Sequence, residues 1–536
     1  MPSLTPTAAT SGARVRRRLI LLLLLVLLAA GLVSLWLHRF GKPEDFDRME
    51  SQFKYGSIGA DHPMAQAPIP YWIWKVLPDV IPPETTLSAE RSPHNGRKGL
   101  EAFGLISESK AGLSAAQLKD LPNFDRPIGF SRRRVFGMDF VGMNCAFCHL
   151  STYKDSEQGP RRLVLGGTGN AVDIEKYFLY LFSSLTDRRF NADLVMPAID
   201  KELARQGAEL GWVQRFIYRD LLIPLLPIYL RHMEVDKFDF IIPNNPTTLP
   251  EFGPGRVDTW ALYKRTFAIP RGGNGTPGIT DFTSLWNQKA RAGMQLHWDG
   301  NTNVLVERNV VSALSLIGEN IEYLDFDRMS RVTDWIENLL PPSYIDRYPQ
   351  ALSDTGGKAV DANLLERGAQ VFNQQCSRCH AAGGDRIGRV ELLADLGTDP
   401  ERLKDFTPAL RDGLNRLGTD KWQLRHFELQ AGYVNSPLDG IWMRAPYLHN
   451  GSVPTMRDLL AKPENRPKQF CRGNEVYDWQ NLGFLSAPVM DNGRATCPNT
   501  FLYKTDSRGN GNGGHFWGTA LSDADKAALM ELLKTL

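Results

Sequence analysis

Two pentapeptides of the same pattern, Cys145-Ala146-Phe147-Cys148-His149 and Cys376-Ser377-Arg378-Cys379-His380, constrain this chain more than any other feature. Each sets two thiols three positions apart with an imidazole directly behind the second. Covalent haem attachment needs those groups in one helical turn: the thiols add to two vinyl groups of one porphyrin, and the imidazole reaches the iron from below. Zinc is a poorer reading of Cys-x-x-Cys, because it wants a second ligand pair nearby and has no need of the following histidine. A thioredoxin-like redox pair would open a helix after a strand in a βαβ context that is missing here. The pattern predicts two covalently bound haem c groups, held by Cys145 and Cys148 with His149 on one iron, and by Cys376 and Cys379 with His380 on the other.

The remaining composition is that of an ordinary folded chain. Over 536 residues, 42% are hydrophobic and 23% charged, which excludes a disordered or fibrous protein, and a net charge of +2 offers no field for gripping nucleic acid. Arg14, Arg16, Arg17 and Arg18 precede an uncharged run at residues 19–37, long enough to span a bilayer as a helix. Such a run reads as an uncleaved anchor, with cleavage near Ala29, Ala30, Gly31 or Ser34 as the alternative. Either way the arginines stay cytoplasmic and everything after Phe40 is exported. The expected location is the bacterial inner membrane, single-pass, with the haem domains in the periplasm. In an oxidising compartment the two cysteines outside the motifs, Cys471 and Cys497, most simply pair; closing that loop contributes about 3 kcal/mol in the chain-entropy model. Two separate buried thiols are the other possibility.

The organisation expected is mainly α: two cytochrome c-like haem domains with long loops, behind one N-terminal transmembrane helix. Residues 1–40 form the cytoplasmic tip and anchor, 41–130 a wrapping segment rich in Pro and Gly, 131–340 the first haem domain and 355–536 the second. Helical spacing runs from about 174 to 229. Its end, 221–230, is strongly apolar but too short to cross a membrane and contains Pro224 and Pro227, so it reads as a core or surface-docking piece. Around the second motif, residues 362–372 read as an amphipathic helix containing Gly368. At the C-terminus Ser522 caps a helix, with Asp525 three residues on and Leu529, Leu532, Leu533 and Leu536 on one face. A small cytochrome c fold brings such first and last helices together across the glycine.

Four segments carry a resemblance to a known superfamily. They are Gly142-Met143-Asn144 before the first motif, Leu285-Trp286-Asn287 followed by His297-Trp298-Asp299-Gly300, Arg444-Ala445-Pro446-Tyr447-Leu448-His449-Asn450-Gly451-Ser452, and Gly511-Asn512-Gly513-Gly514-His515-Phe516-Trp517-Gly518-Thr519. Together they make residues 140–536 resemble the bacterial diheme cytochrome c peroxidases, including MauG-type enzymes, and within them the diheme rubber oxygenase-like proteins.

That resemblance implies roles position by position. The tryptophan of Trp-Asp-Gly lies between the haems in peroxidase relatives and relays electrons, which makes Trp298 the candidate bridge. A polar residue about ten positions later and a glutamate ten after that line the open haem face; with one inserted residue they fall on Asn309 and Glu319, with Arg308 and Glu307 as neighbours that could fill the same space. Glu319 would serve as a proton shuttle, or else be a solvated helix residue. Peroxidase relatives use a methionine as sixth ligand on the second haem, and Met443, Met456 and Met490 all lie downstream of His380. The rubber oxygenase branch uses a late histidine, for which His515 is the best match and His449 the next. His297, His62, His94, His232 and His426 are expected to be structural or surface residues. No histidine stands where peroxidases place a detachable ligand before Trp298, so the first iron is expected to be open.

These expectations describe a haem oxidoreductase that activates peroxide or dioxygen at the first haem while the second, fed by a periplasmic electron donor, supplies electrons. A pure electron-transfer cytochrome is one alternative, and oxidative cleavage of an apolar polymer or hydrocarbon another. In some relatives a calcium ion lies between the haems, which makes calcium a further cofactor to consider.

Overall fold

In the computed structural model the residues described are 42–62, 69–87, 96–108, 125–135, 137–237, 250–267, 269, 277–317, 321–354 and 358–536. The apolar run at 19–37 with its arginines, as well as Glu319 and His94, lie outside them. Among the described residues no helix is long and apolar enough to cross a membrane.

Helices carry the bulk of the regular structure, and short antiparallel strands fix the turns between them. Strands of two to six residues are too brief to show an alternating pattern in sequence, which is why they escape a reading by periodicity. The largest sheet has three strands in the order Lys42–Pro43, Phe130–Val135, Met138–Met143; the pairing aligns Lys42 with Arg134 and Phe130 with Met143. Its last strand runs directly into the first haem motif. A second hairpin, Leu150–Tyr153 with Arg162–Leu165, begins on the residue after His149. The first motif is thus held between two strands.

Three apolar clusters make up the core. The first packs the helix Tyr71–Val80 against Ile174–Thr186 and Ala192–Arg205. The Tyr71-Trp72-Ile73-Trp74 stretch of the wrapping segment is therefore a buried helix in that core. The second joins Phe53, Val310 and Val332 to Phe406, Leu410 and Phe427, and the third joins Tyr153 and Trp286 to Trp442, Tyr477 and Leu529. Both cross the division drawn from sequence between residues 340 and 355.

The helices Ala362–Gln375 and Asp523–Leu533 pack together as their sequences suggest. A Cβ at Gly368 would lie 2.2 Å from the carbonyl oxygen of Ala528, so only glycine permits this approach. Ser522 caps the second helix by accepting from the Asp525 amide at 3.1 Å. Cys471 and Cys497 form a disulfide with their Cα atoms 5.6 Å apart.

Candidate functional site

Each motif folds as one turn; the second delivers Cys376 and His380 to a cavity, and His149 of the first is not among the residues that line it. In the first, the Asn144 side chain caps the turn Cys145–Phe147 by accepting from the Ala146 amide at 3.0 Å, and the His149 amide donates to Cys145 O at 3.1 Å. In the second, Cys376 ends the long helix, and the His380 amide donates to Cys376 O at 3.0 Å. Both imidazoles are oriented the same way: Nδ1 of His149 lies 3.3 Å from Gly167 O, and Nδ1 of His380 lies 2.8 Å from Ser436 O. A carbonyl on Nδ1 fixes the tautomer with its proton there and leaves Nε2 of His380 as the ligand nitrogen, while His149 has a second backbone partner in Thr283. Burial holds both rings in the neutral form, His149 down to about 3 and His380 below its ordinary value. The four motif thiols are unpaired, while the chain's other two cysteines are joined.

The cavity has a volume of about 240 Å³, just under the roughly 300–1,000 Å³ of ordinary small-molecule pockets. Cys376, His380, His515, Thr283, Arg308 and Trp298 all line it. His515 faces His380, ring centroids 6.4 Å apart and planes at 39°. Its backbone is left-handed (φ +50°), its amide donates to Leu396 O at 2.8 Å, and its buried Nδ1 has no hydrogen-bond partner among the described residues. Burial, then His380, pushes it down to about 4.

His449 is held elsewhere on the wall. Its ring stacks on Tyr433 at 4.0 Å and its Nε2 lies 3.1 Å from the Tyr433 hydroxyl, which occupies the nitrogen a metal would need. Trp298 donates from Nε1 to Asp281 O at 2.8 Å. His297, also left-handed (φ +62°), has its Nδ1 2.7 Å from Asn301 Oδ1. His62 stacks on Tyr323 at 4.5 Å, and His426 places Nδ1 2.7 Å from Glu307 Oε1.

On the helix Leu305–Ile317, Leu305 and Arg308 reach the cavity wall and Asn309 does not. Arg308 is 7% exposed, and its guanidinium donates to two neutral oxygens, Asn309 Oδ1 at 2.9 Å and Thr283 Oγ1 at 2.8 Å. Asn309 in turn donates to Gln288 Oε1 at 3.0 Å, so it sits behind Arg308 and holds it. Glu307 accepts from the amides of Arg425 and His426 and is likewise turned to that loop. Counting ten residues from Trp298 without an insertion lands on Arg308, the signal in the sequence that finds it.

Two further arginines, both part-buried, line the same cavity. Arg291 and Arg444 share the single carboxylate of Asp439, at 3.2 and 3.8 Å. Burial first, then Arg291, lowers Arg308 to about 10 and Arg444 to about 9. Three guanidinium groups with one carboxylate leave an excess of buried positive charge and orphaned donors, Arg291 Nε, Arg444 Nε and Gln288 Nε2. A porphyrin carries anionic propionates, and charge-assisted pairing with them supplies what these arginines lack. The donor set, the oriented imidazoles and the cationic wall together fit haem c.

Comparison with known proteins agrees with that fit. Residues 432–471, which include His449 and follow the second motif, match the family described as RoxA-like, cytochrome c-like. The chain is similar to y4iM of Sinorhizobium fredii, an uncharacterised protein, at 31% identity over 44% of this chain and 57% of that one. It is also similar to y4iJ of the same organism, likewise uncharacterised, at 24% identity over 95% of this chain and 97% of that one. This chain thus spans little more than half the length of the first of these relatives and nearly all of the second. The match assigns a cytochrome c-like, haem-containing segment and with it an oxidoreductase or oxygenase-like character.

Proposed function

We propose that this chain is a membrane-anchored, periplasm-facing diheme c-type cytochrome in which one haem reacts with peroxide or dioxygen and the other passes electrons to it. The observation that carries the reading is the asymmetry of the two histidines. His380 is faced by a second imidazole at 6.4 Å, whereas His149 has Phe282 as its ring neighbour, 6.1 Å away and tilted at 63°. His380 and His515 would together hold one haem, and with two strong ligands it would serve as an electron carrier. His149 would hold the other with Cys145 and Cys148, leaving the opposite face to substrate.

A haem with a free axial position binds and activates peroxide or dioxygen, while one with two strong ligands exchanges electrons. The residues around the open side prepare a dry, positively charged space. Arg308, held by Thr283 and by Asn309 through Gln288, keeps a fixed cation where negative charge on oxygen would develop, with little reorganisation at the moment of reaction. Trp298, fixed by Asp281 O and lining the same cavity as His380 and Arg308, would serve as the relay. The RoxA-like match at 432–471 favours dioxygen and an apolar substrate as the second reading.

Assay of the purified holoprotein for consumption of hydrogen peroxide with a reductant, and of dioxygen with polyisoprene, separates the two. Activity in neither assay, with both ferric haems low-spin, would make the chain an electron carrier instead.

A further inference from the structure

The helical run from 212 to 237 is apolar on two opposite faces. It is built of Trp212–Phe216, a π turn at Ile217–Leu222, and Ile223–Lys237. Its inner face, Tyr218, Ile223, Leu226 and Leu230, is buried against the first core cluster. Its outer face carries Trp212 at 85% exposure, Phe216 at 54%, Leu225 at 55% and Ile228 at 57%, with Leu221 and Tyr229 exposed between and beyond them. The π turn explains how both faces stay continuous: its wider i→i+5 step places Leu221 beneath Phe216 and Ile223 beneath Tyr218, where an α turn would rotate them apart. Arg215, Arg219 and Asp220 are exposed on the same run, and a contiguous exposed apolar face marks an interaction site.

The described chain begins beside this helix. Lys42–Pro43 pairs with Arg134 and Arg133, and the hairpin of that same strand turns at Gly137, whose carbonyl accepts from Gln214 Nε2 at 2.7 Å. In sequence, only residues 38–41 separate Lys42 from the uncharged run at 19–37. Five backbone steps reach at most about 18 Å, so a bilayer holding that run would lie close to the start of the apolar helix. Trp212 and Tyr229 stand near its two ends, and such side chains settle at the lipid headgroup level. Arg219, 61% exposed on the same run and 4.0 Å from Asp193, is available to lipid phosphates.

We infer that the outer face of residues 212–229 lies in the periplasmic leaflet of the membrane that holds the anchor. The apolar side chains enter the acyl boundary along about 25 Å of helix, and the lipid surface fixes how the haem-bearing body sits above it. This rests on the anchor proposed above.

The test uses the full-length holoprotein in vesicles of phosphatidylethanolamine and phosphatidylglycerol, with a nitroxide on Leu225→Cys, on Ile228→Cys or on Lys358→Cys as the comparison. We expect the ratio of oxygen to nickel-chelate collisions at 225 and 228 to rise several-fold above that at 358, with the chain resisting a carbonate wash. Nickel-chelate access at 225 and 228 equal to that at 358, in a chain that resists the wash, would overturn the lipid contact and leave the anchor standing. Labels shielded from both reagents and broadened by each other would overturn it in favour of a second copy of the chain. A chain that washes off would remove the anchor and the contact with it.

Discussion

His380 and His515, 135 positions apart in sequence, both line one cavity and hold their imidazole centroids 6.4 Å apart. If one iron lies between them, His515→Ala removes a strong axial ligand and leaves the thioether bonds intact. The low-spin ferric EPR signal is expected to disappear, converted to high spin, with haem content per chain unchanged. His449→Ala is expected to keep the low-spin signal, because Tyr433 already engages the His449 Nε2. A signal that survives His515→Ala and is lost in His449→Ala would exchange the two roles.

On the proposed reading Arg308 is the cation on the open side, and truncating it removes charge and hydrogen-bond donors together. By analogy with loss of one preorganised donor, Arg308→Ala should lower turnover of the reactive oxygen substrate by about 10²–10³-fold. Asn309→Ala, which acts only through the placement of Arg308, should cost about tenfold, and Arg308→Lys should retain part of the rate. Stopped-flow peroxide or dioxygen consumption checks the order of the three.

Trp298 is anchored through Nε1 to Asp281 O, a bond phenylalanine cannot make. Trp298→Phe is expected to slow electron transfer between the haems at least several-fold while leaving each haem's spin state as it was. Flash reduction followed at the two Soret features measures this, and unchanged kinetics would exclude Trp298 as the relay.

Glu175 gives the body a pH dependence of its own. Burial, then Asp173, raises its carboxyl from 4.5 to about 8, even though the Phe252 amide donates to it at 2.6 Å. Because the folded-state value lies above the unfolded one, the contribution is fully present below about pH 4.5 and is lost as pH rises to about 8. Urea unfolding of wild type should therefore weaken between pH 5 and 8 by a few kcal/mol more than that of Glu175→Gln, with the variant the more stable at pH 8. Equal slopes for the two proteins would contradict this.

What the sequence disclosed was local chemistry. The motif residues and the Ser522 cap each depend on a few neighbouring positions, the Gly368 contact on two amphipathic helices each marked in its own segment, and the Cys471–Cys497 pair on the count of cysteines left over. What it hid depends on long-range packing. One residue turns a helix by about 100°, so the choice between Arg308 and Asn309 is decided by which side of Leu305–Ile317 meets Val332 and Phe427 in the core. The choice between His515 and His449 depends on a glycine-rich tail folding back over Leu396. Arg291 and Arg444 carry no motif that marks them as a cationic wall; only their common approach to Asp439 does. The apolar face at 212–229 reads as ordinary core until the structure shows which side chains face outward.

The central claim is that this chain binds two haems of unlike coordination, one between His380 and His515 and one on His149 alone. Intact mass combined with EPR of the ferric holoprotein, made where cytochrome maturation operates, tests it most directly. The account predicts a mass greater than the polypeptide by two haems, with one low-spin and one high-spin signal in equal amounts. A mass increase of a single haem, or two signals of the same spin state, would contradict it.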